Sequence, residues 1–162
     1  MERIISGDER TLLENMLDRN REALIESVVR LSDAASRSRR VPSATTPIGL
    51  LRHGAAAERF WFQHILDGRS KEDCSGPATP GEASFAIPDG RSLDDVVDEF
   101  RSASAQSREI VSAYDMSDTF QNSHGADVSV RWLLLHMIEE IARHAGHADI
   151  LVELITAEAA AT

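Results

Sequence analysis

Between Asp67 and Arg91 the chain carries Gly68, Gly76, Pro77, Pro80, Gly81, Pro88 and Gly90, a density of breakers that no long helix tolerates. On both sides of this stretch the apolar residues return to a helical period. A first segment runs from about Asp8 to Ala35, where Leu13, Leu17, Leu24, Val28 and Leu31 recur at helical spacings. A second covers about Ile48 to Leu66; Thr45 or Thr46 can cap it, and Pro47 suits its first turn. The third spans about Leu93 to Ala113, with Ser92 and Asp95 approximating a capping box. The fourth reaches from about Val128 to Ala157, with Asp127 as its expected cap. The connectors 32–46 and 115–126 are polar, and Ser84-Phe85-Ala86-Ile87 is the one strand-like patch. This alternation predicts an all-α four-helix bundle with one long crossover loop, a single domain over residues 1–162. A connection of that length exceeds ordinary loops and tends to carry function.

Composition narrows the function classes. The 162 residues hold 17 basic and 27 acidic side chains, a formal charge of −10. Such a surface repels phosphate backbones, which argues against nucleic acid as a partner; the Arg37, Arg39 and Arg40 cluster reads as a solvated loop. No run approaches the ~20 apolar residues of a membrane span, and MERIISGDER lacks an apolar signal core. Cys74 is the single cysteine, so no intramolecular disulfide can form, and a cytoplasmic, reducing location is expected. Its neighbours Glu72 and Asp73 disfavour a thiolate, so a catalytic Cys74 is not expected.

The chemistry concentrates in HMIEEIARHAGH, residues 136–147. On a helix, side chains four apart lean the same way and can grip one metal ion. His136, Glu140 and His144 share such a face, beside an apolar stripe of Val130, Leu133, Met137, Ile141 and Ala148. A His and a Glu bordering a core are costly unless paired or bound to a cation. Spacing alone leaves three pairs open: 136 with 140, 140 with 144, and 144 with 147. His53, in LLRHGAAAERFWF, is the candidate third ligand from another helix. Gly146 inside the helix suggests a close neighbour there. Glu58 lies off the ligand face of His53 and reads as structural, and His64 and His124 read as surface residues. A set of His, Glu and His with an open position suits zinc, with nickel or another transition metal as alternatives. The chain has no HExxH, phosphate-binding loop, CxxC or nucleophile elbow, and no paired Glu-x-x-His motifs for a di-iron centre.

GDERTLLENMLDRNREAL, TPIGLLRHGAAAERFWF and VSVRWLLLHMIEEIARHAGHADILVELI, in this order, resemble the DinB-like superfamily. The similarity is to the branch of mycothiol-dependent maleylpyruvate isomerase, with the last segment the most specific. The resemblance implies a bundle with a metal at one end, held by His53, Glu140 and His144. It makes His136 structural and sets His147 beside the site, with Arg52 and Arg143 next to ligand positions as second-shell or substrate-pocket groups; Arg59 is a further such candidate. It also implies a low-molecular-weight thiol of the mycothiol type as co-substrate, attacking an electrophile. The isomerase carries an additional C-terminal domain, so S-transfer or detoxification is the expected activity here. The loop 67–91 and the connector 115–126 are the expected specificity elements. Related bundles pair, and the apolar residues around Trp132 are the expected homodimer face. The competing expectation is a non-enzymatic bundle that binds a ligand or partner, its metal structural or absent.

Overall fold

In the computed structural model, which describes residues 2–160, each long helix begins where a side chain can accept from otherwise unpaired N–H groups. Asp8 accepts from the Thr11 amide and opens α1, Glu9–Val28. Thr46 accepts from the Gly49 amide and opens α3, Pro47–Glu58, with Pro47 in its first turn. Ser92 and Asp95 form a reciprocal capping box at α4, Leu93–Ser112. The last helix, α5, is Val130–Ala160. These four helices form the bundle: α1 lies along α5 and α3 along α4, with α3 also touching α5. The core joins Leu17, Leu24 and Val28 of α1 to Leu50 and Leu51 of α3, Val96 and Phe100 of α4, and Leu133, Met137 and Ile141 of α5. The all-α bundle read from the periodicity is the fold observed.

The differences have local causes. The first segment does not run to Ala35. It stops at Val28, and Ser32 caps a separate single turn, α2, Asp33–Ser36. The second segment is α-helical only to Glu58; Arg59–Leu66 widens into a π-helix. The wider turn lets the adjacent Phe62 and Gln63 both face inward. The Gln63 side chain is satisfied there by Ser75 and Gln106: its amide donates to Ser75 Oγ (3.0 Å) and to Gln106 Oε1 (3.2 Å), and its carbonyl accepts from the Ser75 amide (2.8 Å). The strand-like patch at 84–87 is instead a 3-10 turn over Glu82–Phe85. The connector 115–126 and the residues after it are not wholly irregular, because Thr119–Gln121 (β1) pairs antiparallel with Asp127–Ser129 (β2). Asp127 therefore lies in a strand, and Ser129 Oγ accepts from the Trp132 amide at the start of α5 (3.2 Å).

The long loop 67–91 is fastened along α3. Its Ser75 is held by Gln63 and by Arg59, whose Nη1 also donates to Glu99 on α4 (2.7 Å). Its 3-10 turn lies against the first half of α3, where Gly49 is required: a Cβ there would stand 2.7 Å from the Phe85 carbonyl oxygen. Among the described residues no helix is long and apolar enough to cross a membrane.

Candidate metal centre

His53 sits two turns into α3, and Glu140 and His144 are one turn apart on α5, so the contact between these helices brings the three side chains to one point. Their donor atoms lie within 4.8 Å of one another. His53 Nε2 is 3.2 Å from Glu140 Oε1, and His144 Nε2 is 3.0 Å from the same oxygen. Both imidazoles are buried, and the carboxylate is 17% exposed, which leaves one side open. The His53 ring stacks on Phe85 (4.3 Å between centroids) and meets the His144 ring edge-on (4.7 Å).

Hydrogen-bond bookkeeping shows what this cluster lacks. Ser84 Oγ donates its one hydrogen to the Gly81 carbonyl (2.5 Å), so at 2.8 Å from His53 Nδ1 it accepts. Nδ1 then carries the proton, and a neutral His53 turns a lone pair on Nε2 toward a carboxylate oxygen. Either a second proton or a cation must lie between them. His144 Nε2 stands 3.0 Å from the same oxygen, and its Nδ1 is buried without a hydrogen-bond partner among the described residues, so no second contact fixes its tautomer. Two imidazoliums this close repel, whereas one divalent cation serves both rings and the carboxylate. Two imidazoles and a carboxylate are also a donor set suited to zinc and its neighbours. The residues present fit a metal.

Where the imidazoles carry the proton, hydrogen bonds from His144 first, then His53, hold the Glu140 carboxyl well below the usual carboxylate range, against burial that pushes it up; a cation at the same point acts in the same direction. The second carboxylate oxygen accepts from Arg143 Nη1 at 2.7 Å, and Arg143 also binds Glu139. Arg143 thereby steadies the acid from outside. Arg52 Nη1 donates to the carbonyls of Ala83 (3.3 Å), Ser84 (3.1 Å) and Ala86, so it grips the 3-10 turn. Arg59 is buried and paired with Glu99 (2.7 Å).

The remaining sequence candidates separate clearly. His136 stacks on Trp132 (5.0 Å, 2° between planes) and meets Trp61 edge-on, apart from the three-donor cluster. His147 contacts the His144 ring at 5.6 Å; burial, and then the charges of His144 and Arg143, lower its pKa. It lines a cavity of about 270 Å³ with Val41, Ser43, Thr45, Ile150 and Leu151. Gly146 faces open space, with nothing within 4 Å of a Cβ placed there, so its expected close neighbour is missing. Glu58 is structural, paired with Arg21. His64 is partly buried rather than a surface residue, because its Nδ1 meets the Arg69 carbonyl at 2.7 Å. Cys74 donates to the Ser70 carbonyl, and burial raises its thiol pKa more than Asp73 and Glu72 do. Ser84 and Phe85, which touch His53 directly, have no sequence signal linking them to it; they come from a loop 31 residues further on.

Comparison with known proteins adds a family and a fold. The family model for mycothiol-S-transferase matches residues 12–157. No curated protein matches the chain. A solved structure, the crystal structure of a conserved protein from Enterococcus faecalis, superposes with a TM-score of 0.73 at 17% identity, covering 94% of this chain and 99% of that one. At that identity the likeness concerns the fold.

Proposed function

The chain belongs to the mycothiol-S-transferase family, and on that premise we propose that it transfers a low-molecular-weight thiol of the mycothiol type to an electrophile at a divalent metal held by His53, Glu140 and His144. The observation that carries this reading is the meeting of two imidazoles at one carboxylate oxygen, 3.2 and 3.0 Å away, where one divalent cation can serve all three groups. A divalent ion there, zinc first and nickel as an alternative, supplies the positive charge that keeps a thiol ionised near neutral pH. The protein then needs no cysteine of its own as nucleophile, which accords with the raised pKa of Cys74.

The chain's own residues supply binding and orientation. Phe85 and Ser84 fix the His53 ring, Arg143 fixes Glu140, and burial of the imidazoles limits the access of bulk water. The cavity beside His147 has Val41, Ile150 and Leu151 as its apolar lining, and the His147 ring links it to His144. It suits the electrophile's apolar body, with Ser43 and Thr45 offering hydroxyls at one wall. A reducing compartment such as the cytoplasm would keep the co-substrate thiol and Cys74 reduced.

The test begins with protein purified without a metal-affinity step. Metal analysis is expected to find about one transition-metal ion per chain, lost in Glu140→Ala and His144→Ala. Transfer assays with mycothiol and a panel of alkylating and arylating electrophiles are expected to show metal-dependent turnover. Metal content untouched by both substitutions would refute the ligand assignment. Bound metal with silence across several thiols would favour the non-enzymatic binding module instead.

A further inference from the structure

The 3-10 turn of the long loop is built onto α3 at four points. Gly49 admits the Phe85 carbonyl, Arg52 binds three backbone carbonyls of the turn, Phe85 stacks on the His53 ring, and Ser84 meets His53 Nδ1. Ser84 is buried, at 6% exposure. Its hydroxyl hydrogen is committed to the Gly81 carbonyl, three residues back within the same turn. That commitment gives the contact with His53 a direction. A hydroxyl free to rotate could serve either imidazole tautomer, whereas this one can only accept.

We propose that Ser84 is a positioning residue that fixes His53 in the tautomer protonated at Nδ1 and so presents an unprotonated Nε2 to the Glu140 side. The proposal deepens the metal-transferase reading and rests on it. Histidine ligands generally depend on a partner at the other ring nitrogen, which sets tautomer and ring angle and raises the basicity of the ligating atom. Here that partner comes from the crossover loop rather than from the helices that carry the ligands. The loop is thus part of the metal centre: Arg52 holds its backbone in place, and the ring of Phe85 holds the plane of His53. The other histidine has no counterpart among the described residues, because His144 Nδ1 has no hydrogen-bond partner. Ser84 is therefore the one outer hydrogen-bond partner of an imidazole in the described cluster.

The experiment compares wild type, Ser84→Ala and Ser84→Thr. Zinc affinity is read by competition with a chromophoric chelator, and the helix content and melting temperature of each metal-free protein are read by circular dichroism. Ser84→Ala is expected to weaken zinc binding by about 10–100-fold, the usual cost of removing an outer partner, with helix content unchanged. Ser84→Thr keeps the hydroxyl and is expected to retain most of the affinity. In the zinc-loaded wild type, proton–nitrogen NMR should show a His53 Nδ1–H slow to exchange with water, and Ser84→Ala should lose it. A general loosening of the loop would not move that resonance selectively. A folded Ser84→Ala that binds zinc as tightly as wild type, or a zinc-loaded wild type without the protected Nδ1–H, overturns the role of Ser84 alone. A wild type that binds neither zinc nor nickel overturns the metal reading and this role together.

Discussion

Arg21 of α1 and Glu58 at the end of α3 form a two-point ion pair inside the bundle, with Nε to Oε1 at 2.8 Å and Nη2 to Oε2 at 2.6 Å. Glu58 is wholly buried, and Arg21 is extended by Asp18, which also accepts from Arg108 of α4. Burial works against the Arg21 charge, yet the Glu58 and Asp18 carboxylates together more than offset it and the guanidinium pKa is raised. The pair marks the point where α3 widens into the π-helix, five residues beyond His53. Removing Arg21 strands the Glu58 charge in a dry interior. Arg21→Met is therefore expected to cost about 3–5 kcal/mol, whereas Arg21→Met combined with Glu58→Leu costs little or stabilises. Urea denaturation of the two variants checks this. The double variant should still bind metal, since neither residue touches the three-donor cluster.

Metal should act as a folding ligand. The three donors converge only in the native bundle, because His53 is 87 residues from Glu140 in sequence. An ion that binds the native state alone, at one hundred times its Kd, stabilises by about 2.7 kcal/mol. For a chain of this size that raises the melting temperature by about 5–10 °C. Glu140→Gln keeps the volume and removes the charge, and it is expected to abolish the zinc-induced shift in differential scanning calorimetry. Chelation of the wild type should give the same melting temperature as never adding metal.

Most of the bundle was legible because a core-facing helix must repeat its apolar residues every three or four positions; Leu17, Leu24, Val28, Leu133, Met137 and Ile141 all proved buried. The register of the three-donor cluster was less so. His136, Glu140 and His144 are equivalent in spacing, and what separates them is a neighbour on another helix: Trp61 beside His136, His53 beside His144. The resemblance to a known family, not the period, picked the pair that the fold brings to His53. Ser84 and the π-helix were invisible for a related reason. A hydroxyl that accepts from an imidazole 31 residues away leaves no local pattern, and the partners of the inward Gln63 in the π-helix, Ser75 and Gln106, are likewise distant in sequence.

Acid should weaken the fold partly through Asp8. Its carboxylate accepts from the Thr11 amide (3.0 Å) and hydroxyl (2.7 Å), which lower its pKa in the folded protein. A depressed carboxyl contributes stability that is present above the ordinary value of about 3.9 and is lost as pH falls through the folded value. Asp8→Asn retains a capping oxygen that does not titrate. Wild type should therefore lose more stability than Asp8→Asn between neutral pH and pH 3. Thermal melts across that range measure the difference, and parallel curves would remove Asp8 from the acid response.

The cavity beside His147 gives a test that leaves the three-donor cluster intact. Ile150 lines it and is 60% exposed, so a substitution there does not open the core. Ile150→Glu places a carboxylate where the apolar body of an electrophile would lie. Metal content and melting temperature should stay at wild-type values. KM for an apolar electrophile should rise by about tenfold, equivalent to ~1.4 kcal/mol of lost binding, with a much smaller effect on a compact polar one. Steady-state kinetics with the two electrophiles at saturating thiol separate the outcomes. Equal changes for both would mean that the cavity does not distinguish them. A rise in KM for thiol alone would assign this space to the co-substrate rather than to the electrophile.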